Sequence, residues 1–195
     1  SRKPIWPTNQ NNSAWMDLLR EMTEEMNQKI LQAAQADPRL HSMGTTFTGV
    51  IETAGMLYLL HIGDSRLYHC DAQNIYQISS DHSWSGELLR SGQISLEEAK
   101  NHPNRNVLTQ SLGYAGKIQA EIKVIELSPQ SSLLLCSDGL YNLVQDSELL
   151  TSMQTMKEPY DTAQELVALA NERGGTDNIT VITAKYLAEK VGDPQ

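Results

Sequence analysis

The sequence predicts an α+β fold, antiparallel sheets packed with helices. Strand-like segments come in clusters, helical segments flank the clusters, and no regular β-α-β alternation links them. At 195 residues the chain is long enough to bury a sizeable core. Its 39% hydrophobic and 20% charged residues suit a globular protein and exclude a disordered tail.

Residues 1–12, with two prolines and the polar run Asn9-Gln10-Asn11-Asn12, read as an arm or loop. From Ser13 a helical period sets in: Trp15, Leu18, Leu19, Met22, Met26, Ile30 and Ala33 form one apolar stripe. Asn12 or Ser13 can cap this helix and Pro38 bars its continuation. The methionines are read as core-facing, not as a binding groove. Residues 45–53 are rich in β-branched residues, Ala54-Gly55 is a turn, and 56–62 answers as the second arm of a hairpin. After Gly63-Asp64-Ser65 a strand over 66–70 is followed by the turn Asp71-Ala72-Gln73-Asn74 and a strand over 75–79.

Residues 81–113 are polar, with short helical patches at 86–90 and 96–100, and read as an ordered excursion from the sheet. Strands resume over 118–127, where apolar and polar residues alternate, and over 132–136, a buried strand carrying the apolar run 133–136. A helix over 161–173 places Ala163, Leu166, Val167 and Ala170 on one face and ends at Gly174-Gly175. Residues 178–186 form the last strand.

The net charge is −9, from 24 acidic against 15 basic side chains, and Arg2-Lys3 is the only concentrated positive charge. Nucleic acid is therefore excluded as a partner, because its binding rests on Lys and Arg at phosphates. Cys70 and Cys136 read as buried free thiols, which favours a reducing cytoplasm. The apolar runs fall far short of a membrane span, no signal peptide is recognisable, and a monomer is the expected state. The chain begins Ser1-Arg2-Lys3 without an initiator Met, as if processed or cut from something longer.

Three aspartates stand beside glycine at strand boundaries: Asp64, Asp138 in Ser137-Asp138-Gly139, and Asp177 in Gly174-Gly175-Thr176-Asp177-Asn178. Each also suits a turn, where an Asx side chain satisfies its own backbone. Together, at strand ends able to converge, they point to a hard divalent cation, which prefers oxygen ligands. Zinc has no support, since neither Cys-x-x-Cys nor His-Glu-x-x-His occurs. Gly63-Asp64-Ser65-Arg66-Leu67 lacks the closing glycine of a nucleophile elbow. Gly113-Tyr114-Ala115-Gly116-Lys117-Ile118 has the wrong spacing for a phosphate loop. The histidines show no ligand spacing; His61 and His69 sit in strands and read as structural, while His82 and His102 are candidates to line a cleft.

Several segments then carry a resemblance. Met43-Gly44-Thr45-Thr46, Gly63-Asp64-Ser65-Arg66, Ser80-Asp81-His82-Ser83, a run from His102-Pro103-Asn104-Arg105 to Ser111-Leu112-Gly113, Cys136-Ser137-Asp138-Gly139 and Gly175-Thr176-Asp177-Asn178 follow in order. This set resembles the bacterial branch of the metal-dependent Ser/Thr protein phosphatases of the PP2C (PPM) family, over residues 13–186. The remaining 187–195 form a tail. The resemblance implies a sandwich of two antiparallel sheets flanked by helices, with two manganese or magnesium ions at one end. It implies that Asp138 and Asp177 ligate the core metals, and that Asp64 helps Asp138 hold a weaker third. Asn142 stands where many members carry an acidic residue supporting that third metal. Residues 81–113 correspond to a flap beside the active centre, with His82, Arg105 and Asn178 as candidate flap or substrate residues.

The implied reaction is hydrolysis of phosphoserine and phosphothreonine in proteins. A water activated by two cations is the nucleophile, so no catalytic side chain is expected. The implied partners are a phosphoprotein substrate and a Ser/Thr kinase system. One departure bears on this. The family's arginine for the substrate phosphate, its early acidic residue and its Asp-Gly-Met-Gly-Gly-His segment have no counterpart in this sequence. The expectation is therefore a chain lacking its N-terminal strands, weak or inactive alone, short of anionic ligands for two cations. The alternative is a non-catalytic module of the same fold that binds phosphoproteins or a regulatory partner.

Overall fold

The computed structural model describes Pro7 and residues 12–187. The expected arm over 1–12 and tail over 187–195 otherwise lie outside the described residues. The chain divides into two units, Ser1–Asp64 with Ser80–Ile125, and Ser65–Ser79 with Glu126–Gln195. Each is built on its own sheet. Helices accompany both, as the α+β class requires.

In the first unit, α1 (Asn12–Ala36) buries Trp15, Leu19, Thr23 and Asn27 at four-residue steps. Trp15 and Leu19 pack with Tyr58 and Leu60, and Leu18, Met22 and Met26 flank that cluster. The rings of Trp15 and Tyr58 stack with centroids 5.3 Å apart. Asn12 lies inside the helix, where its side chain accepts a 2.7 Å hydrogen bond from the Tyr58 hydroxyl. The helix stops before Asp37, whose carboxylate accepts from the Arg39 amide and opens a short 3₁₀ turn over Pro38–Leu40.

The buried face differs from the expected apolar stripe at its polar members. Asn27 is 5% exposed; its Oδ1 accepts from the Gly113 amide at 2.7 Å and its Nδ2 donates to the Tyr114 carbonyl at 3.3 Å. One carboxamide thus satisfies a donor and an acceptor of the loop after the flap. Asn27→Ala is expected to lower unfolding free energy by about 1–3 kcal/mol, the cost of orphaning buried partners, as read by chemical denaturation.

The strands β1 (Phe47–Thr53) and β2 (Met56–Ile62) form the expected hairpin, paired from Phe47↔Ile62 to Thr53↔Met56. Its two-residue turn holds Ala54 at φ 52° and Gly55 at φ 79°, the left-handed pair that matches the twist of the strands. The first strand starts later than expected because Thr45 pairs instead with Leu112, through backbone bonds of 3.0 and 2.9 Å.

Between them and β5 (Glu121–Glu126), residues 81–113 carry α2 (Trp84–Arg90) and α3 (Leu96–Lys100) where the helical patches were expected. Ser83 caps the first through the Gly86 amide, and Ser95 with Glu98 forms a capping box on the second. The strand β5 completes the sheet in the order β1-β2-β5. It begins after Gln119, whose amide donates to the Gln110 side chain and so is spent outside the ladder.

In the second unit the sheet order is β4-β3-β6-β7, from β3 (Arg66–Cys70), β4 (Ile75–Gln77), β6 (Ser132–Cys136) and β7 (Val181–Lys185), every pair antiparallel. Asp71 makes the β3–β4 turn by accepting from the amides of Gln73 and Asn74, both at 2.7 Å. These bonds hold its carboxyl below the usual range.

Three helices belong to this unit: α4 (Asp138–Tyr141), α5 (Asp146–Thr155) and α6 (Pro159–Glu172). Of these, only α6 answers a helix expected from the sequence, and it starts two residues earlier than the expected 161. Leu140, Val144, Leu149, Met153, Met156, Leu166 and Ala170 pack on Tyr68, Cys70, Leu134 and Cys136. Ala163 and Val167 stay half-buried, so the buried face of α6 is Thr162, Leu166 and Ala170. Both cysteines are free and buried, and burial pushes the Cys70 thiol up to about 12.

Candidate metal centre

The sheet of the second unit presents one end from which three chain segments leave. Cys136, the last residue of β6, is paired with Arg66, the first of β3, and with Val181, the first of β7. Asp138 lies just beyond Cys136 and opens α4, half-buried. Asp177 is exposed in the loop that enters β7.

Ser137 joins these two loops. Its amide donates to the Thr180 carbonyl at 3.1 Å, its Oγ donates to the Asn178 carbonyl at 3.0 Å, and the Thr180 amide donates back to Oγ at 2.9 Å. Asp138 and Asp177 each sit one residue outside this ring of bonds. Asp177 is turned by its own backbone, accepting from the Asn178 amide at 2.7 Å. Gly139 allows the close approach: a Cβ there would stand 2.5 Å from the Asn178 carbonyl oxygen.

The helix α4 is braced from the sheet as well. The Arg66 guanidinium lies 3.6 Å from the centroid of the Tyr141 ring, and its Nη1 donates to the Tyr68 hydroxyl at 2.9 Å. Burial pushes the Tyr68 phenol well above its ordinary value. Asn142 follows at the exposed C-terminus of α4, its amide bonded to the Asp138 carbonyl at 3.0 Å.

Asp64 ends the first segment of the first unit, half-buried, after Gly63 at φ 110°. Gly63 is held from both sides by His82, whose Nδ1 accepts from the Gly63 amide at 3.2 Å and whose amide donates to the Gly63 carbonyl at 2.7 Å. His82 is therefore not a cleft-lining residue of the flap. It is 8% exposed, and its ring lies 4.9 Å from that of His61. Tertiary packing, invisible in a polar stretch of sequence, puts this imidazole at the flap's root.

His61 is fully buried and structural, as expected. Its Nε2 lies 3.1 Å from the Ser80 carbonyl, which only accepts, so Nε2 carries the proton and Nδ1 accepts from Thr48 Oγ1 at 2.9 Å. Burial, reinforced by His82, pushes His61 down to about 4. Burial also lowers His82.

Glu121, which carries no motif in the sequence, accepts from both the amide and the hydroxyl of Ser80 at 2.8 Å. Burial acts to raise its carboxyl, but Lys123 and the Ser80 bonds prevail and hold it low. Ser137 and Arg66 are likewise unmarked as positioning groups. The available signal was only their place beside Asp138 and Asp64. Arg105 lies exposed in the turn whose amide reaches the His102 carbonyl at 3.1 Å, and the Asn178 side chain is exposed.

Among the described residues, no group of three or more His, Cys, Asp or Glu is placed to hold a metal ion. Asp138 and Asp177 offer the donor type that manganese and magnesium prefer, anionic oxygen. Two such side chains supply only part of the set, since a hard divalent cation takes about six oxygens.

A family model described as protein phosphatase 2C matches residues 6–171. The serine/threonine phosphatase stp of Listeria welshimeri is 37% identical over 164 residues, 84% of this chain and 65% of that protein. This chain thus spans about 65% of the length of the Listeria relatives it matches. Protein phosphatase PhpP of Streptococcus pneumoniae is 37% identical over 179 residues, 86% of this chain and 72% of that one.

Among solved structures, the S. agalactiae serine/threonine phosphatase superposes with a TM-score of 0.84 at 34% identity, covering 93% of this chain and 74% of that one. The catalytic domain of the phosphatase PstP, in complex with two manganese ions, superposes at 0.74 with 32% identity, covering 83% and 66%.

Proposed function

The chain belongs to the protein phosphatase 2C family, and on that premise we propose that it serves metal-dependent hydrolysis of phosphoserine and phosphothreonine in proteins. The observation that carries this reading is the Ser137 junction, which sets Asp138 and Asp177 on adjoining loops at one end of a sheet. Asp138 and Asp177 would hold manganese or magnesium, and Asp64 is proposed as a further cation ligand on the family resemblance alone. When bound, such cations supply a water of lowered pKa and neutralise phosphoryl charge.

The chain's own residues do the positioning. Carboxylates on short, hydrogen-bonded loops cost little reorganisation when a cation arrives. No side-chain nucleophile is assigned. Arg105 and Asn178, both exposed, are proposed to face the phosphoprotein. A cytoplasmic setting opposite a Ser/Thr kinase is proposed too, supported by two cysteines that stay free thiols.

The test is phosphate release from a phosphothreonine peptide by residues 1–195, with manganese and with a chelator. Slow release that the chelator abolishes and manganese restores is expected, slow because the described residues carry few of the required carboxylates. Release indifferent to the chelator would overturn the metal mechanism. Peptide binding with no release at saturating manganese would favour the non-catalytic module instead.

A further inference from the structure

We propose that the Ser137 hydroxyl is a positioning residue that sets the separation of the Asp138 and Asp177 carboxylates, and through it the affinity of the centre for its cation. This rests on the metal reading above. Ser137 occupies the N-cap of α4 with extended backbone, at φ −79° and ψ 168°. A serine there ordinarily turns its hydroxyl onto the amides of the helix it opens. Ser137 makes no such capping bond. Its oxygen is used across the junction instead, donating to the Asn178 carbonyl and accepting from the Thr180 amide.

That pair of bonds needs a group that is donor and acceptor at one atom, which a hydroxyl is and a methyl is not. A backbone bond from the Ser137 amide to the Thr180 carbonyl joins the same two loops beside it. A second feature points the same way. Gly139 faces the Asn178 carbonyl and the Ile179 side chain so closely that a Cβ would meet the former at 2.5 Å and the latter at 3.3 Å. One residue before Asp138 pulls the Asp177 loop in, and the residue after it leaves room for the loop to come.

A cation bridging two carboxylates is sensitive to their spacing, and groups that orient ligands from behind are typically worth about 10–100-fold in metal affinity. The experiment is manganese titration of residues 1–195 followed by electron paramagnetic resonance. It is run well below the unfolding temperature of each variant, with circular dichroism showing every variant folded. Ser137→Ala is expected to weaken manganese binding by about 10–100-fold. Ser137→Thr, which keeps the hydroxyl, is expected to restore most of it. Gly139→Ala, which keeps Ser137 but forces the loops apart, is expected to weaken binding likewise and stands in if Ser137→Ala does not fold.

Asp138→Asn separates the two ideas. If it abolishes manganese binding while Ser137→Ala and Gly139→Ala bind as the wild type does, the positioning role is wrong and the metal reading stands. If Asp138→Asn leaves manganese binding unchanged, the metal reading falls and the role of Ser137 falls with it. A Ser137→Thr variant as weak as Ser137→Ala would show that packing, not the hydroxyl, is what matters, and would also overturn the proposal.

Discussion

Asp138→Asn is expected to cut manganese affinity by about 100-fold or more, and to bring phosphopeptide hydrolysis down to the chelator-treated background. The substitution keeps the shape and removes one anionic oxygen, the ligand type that hard cations select. Loss of a group that merely orients a ligand costs up to about 100-fold, so loss of a ligand should cost no less. Stability should change modestly. The Asp138 carbonyl still receives the Asn142 amide, and giving up a half-buried carboxylate in the first turn of α4 is worth about 0.3–2 kcal/mol. Paired titration and thermal unfolding read both quantities. A variant that binds manganese like the wild type would remove Asp138 from the centre.

The second large effect is acid destabilisation at the flap's root. His61 is pushed from 6.5 to about 4 by burial, so between those values the unfolded chain takes up a proton that the folded protein refuses. Above pH 6.5 the imidazole is neutral in both states and costs nothing. As pH falls through the window, stability drops by about 1.4 kcal/mol per unit, reaching a total of about 3 kcal/mol near pH 4, where the loss levels off. His82, lowered by its own burial, adds in the same direction. Protonation there would also set an N–H against the Gly63 amide that now donates to Nδ1. Glu87, Arg90, Asp81 and Glu121 act on this pair, and Glu121 and Glu87, both held low, start to lose their own contributions as pH falls below 4.5.

Denaturant unfolding at intervals from pH 7 to 4 should show this slope. His61→Gln should flatten it, since an amide keeps a donor for the Ser80 carbonyl but does not titrate. An unchanged slope in that variant would assign the acid sensitivity elsewhere.

Much of the secondary structure was legible because local rules agreed with one another. The Ala54-Gly55 turn between two strand-like runs, the Pro38 stop, the short helical patches of α2 and α3, and the apolar run 133–136 each name their own conformation. What was missed had no such local signature. In α5 the buried positions reduce to Leu149 and Met153, too few to mark a stripe, and α4 is a single turn after a strand. In α1 the buried face includes Thr23 and Asn27, polar residues whose burial depends on partners far along the chain.

The candidate centre divides in the same way. Asp64, Asp138 and Asp177 could be singled out from sequence, because an aspartate beside glycine at the end of an apolar strand is chemically conspicuous. Membership of the phosphatase family was likewise legible, carried by the order of short motifs. Only the tertiary structure decided that the Ser137 hydroxyl reaches across to Asn178 and Thr180, that Arg66 braces Tyr141, and that His82 lies buried against His61. The reason is physical. A residue's type and immediate neighbours set its donors, charge and backbone preference, but a hydrogen bond between residues 41 and 43 positions apart exists only once β6 and β7 are paired and their loops leave the sheet side by side. The two aspartates were chosen by chemistry written locally, and they are brought to the same end of the sheet by strand pairing that is not.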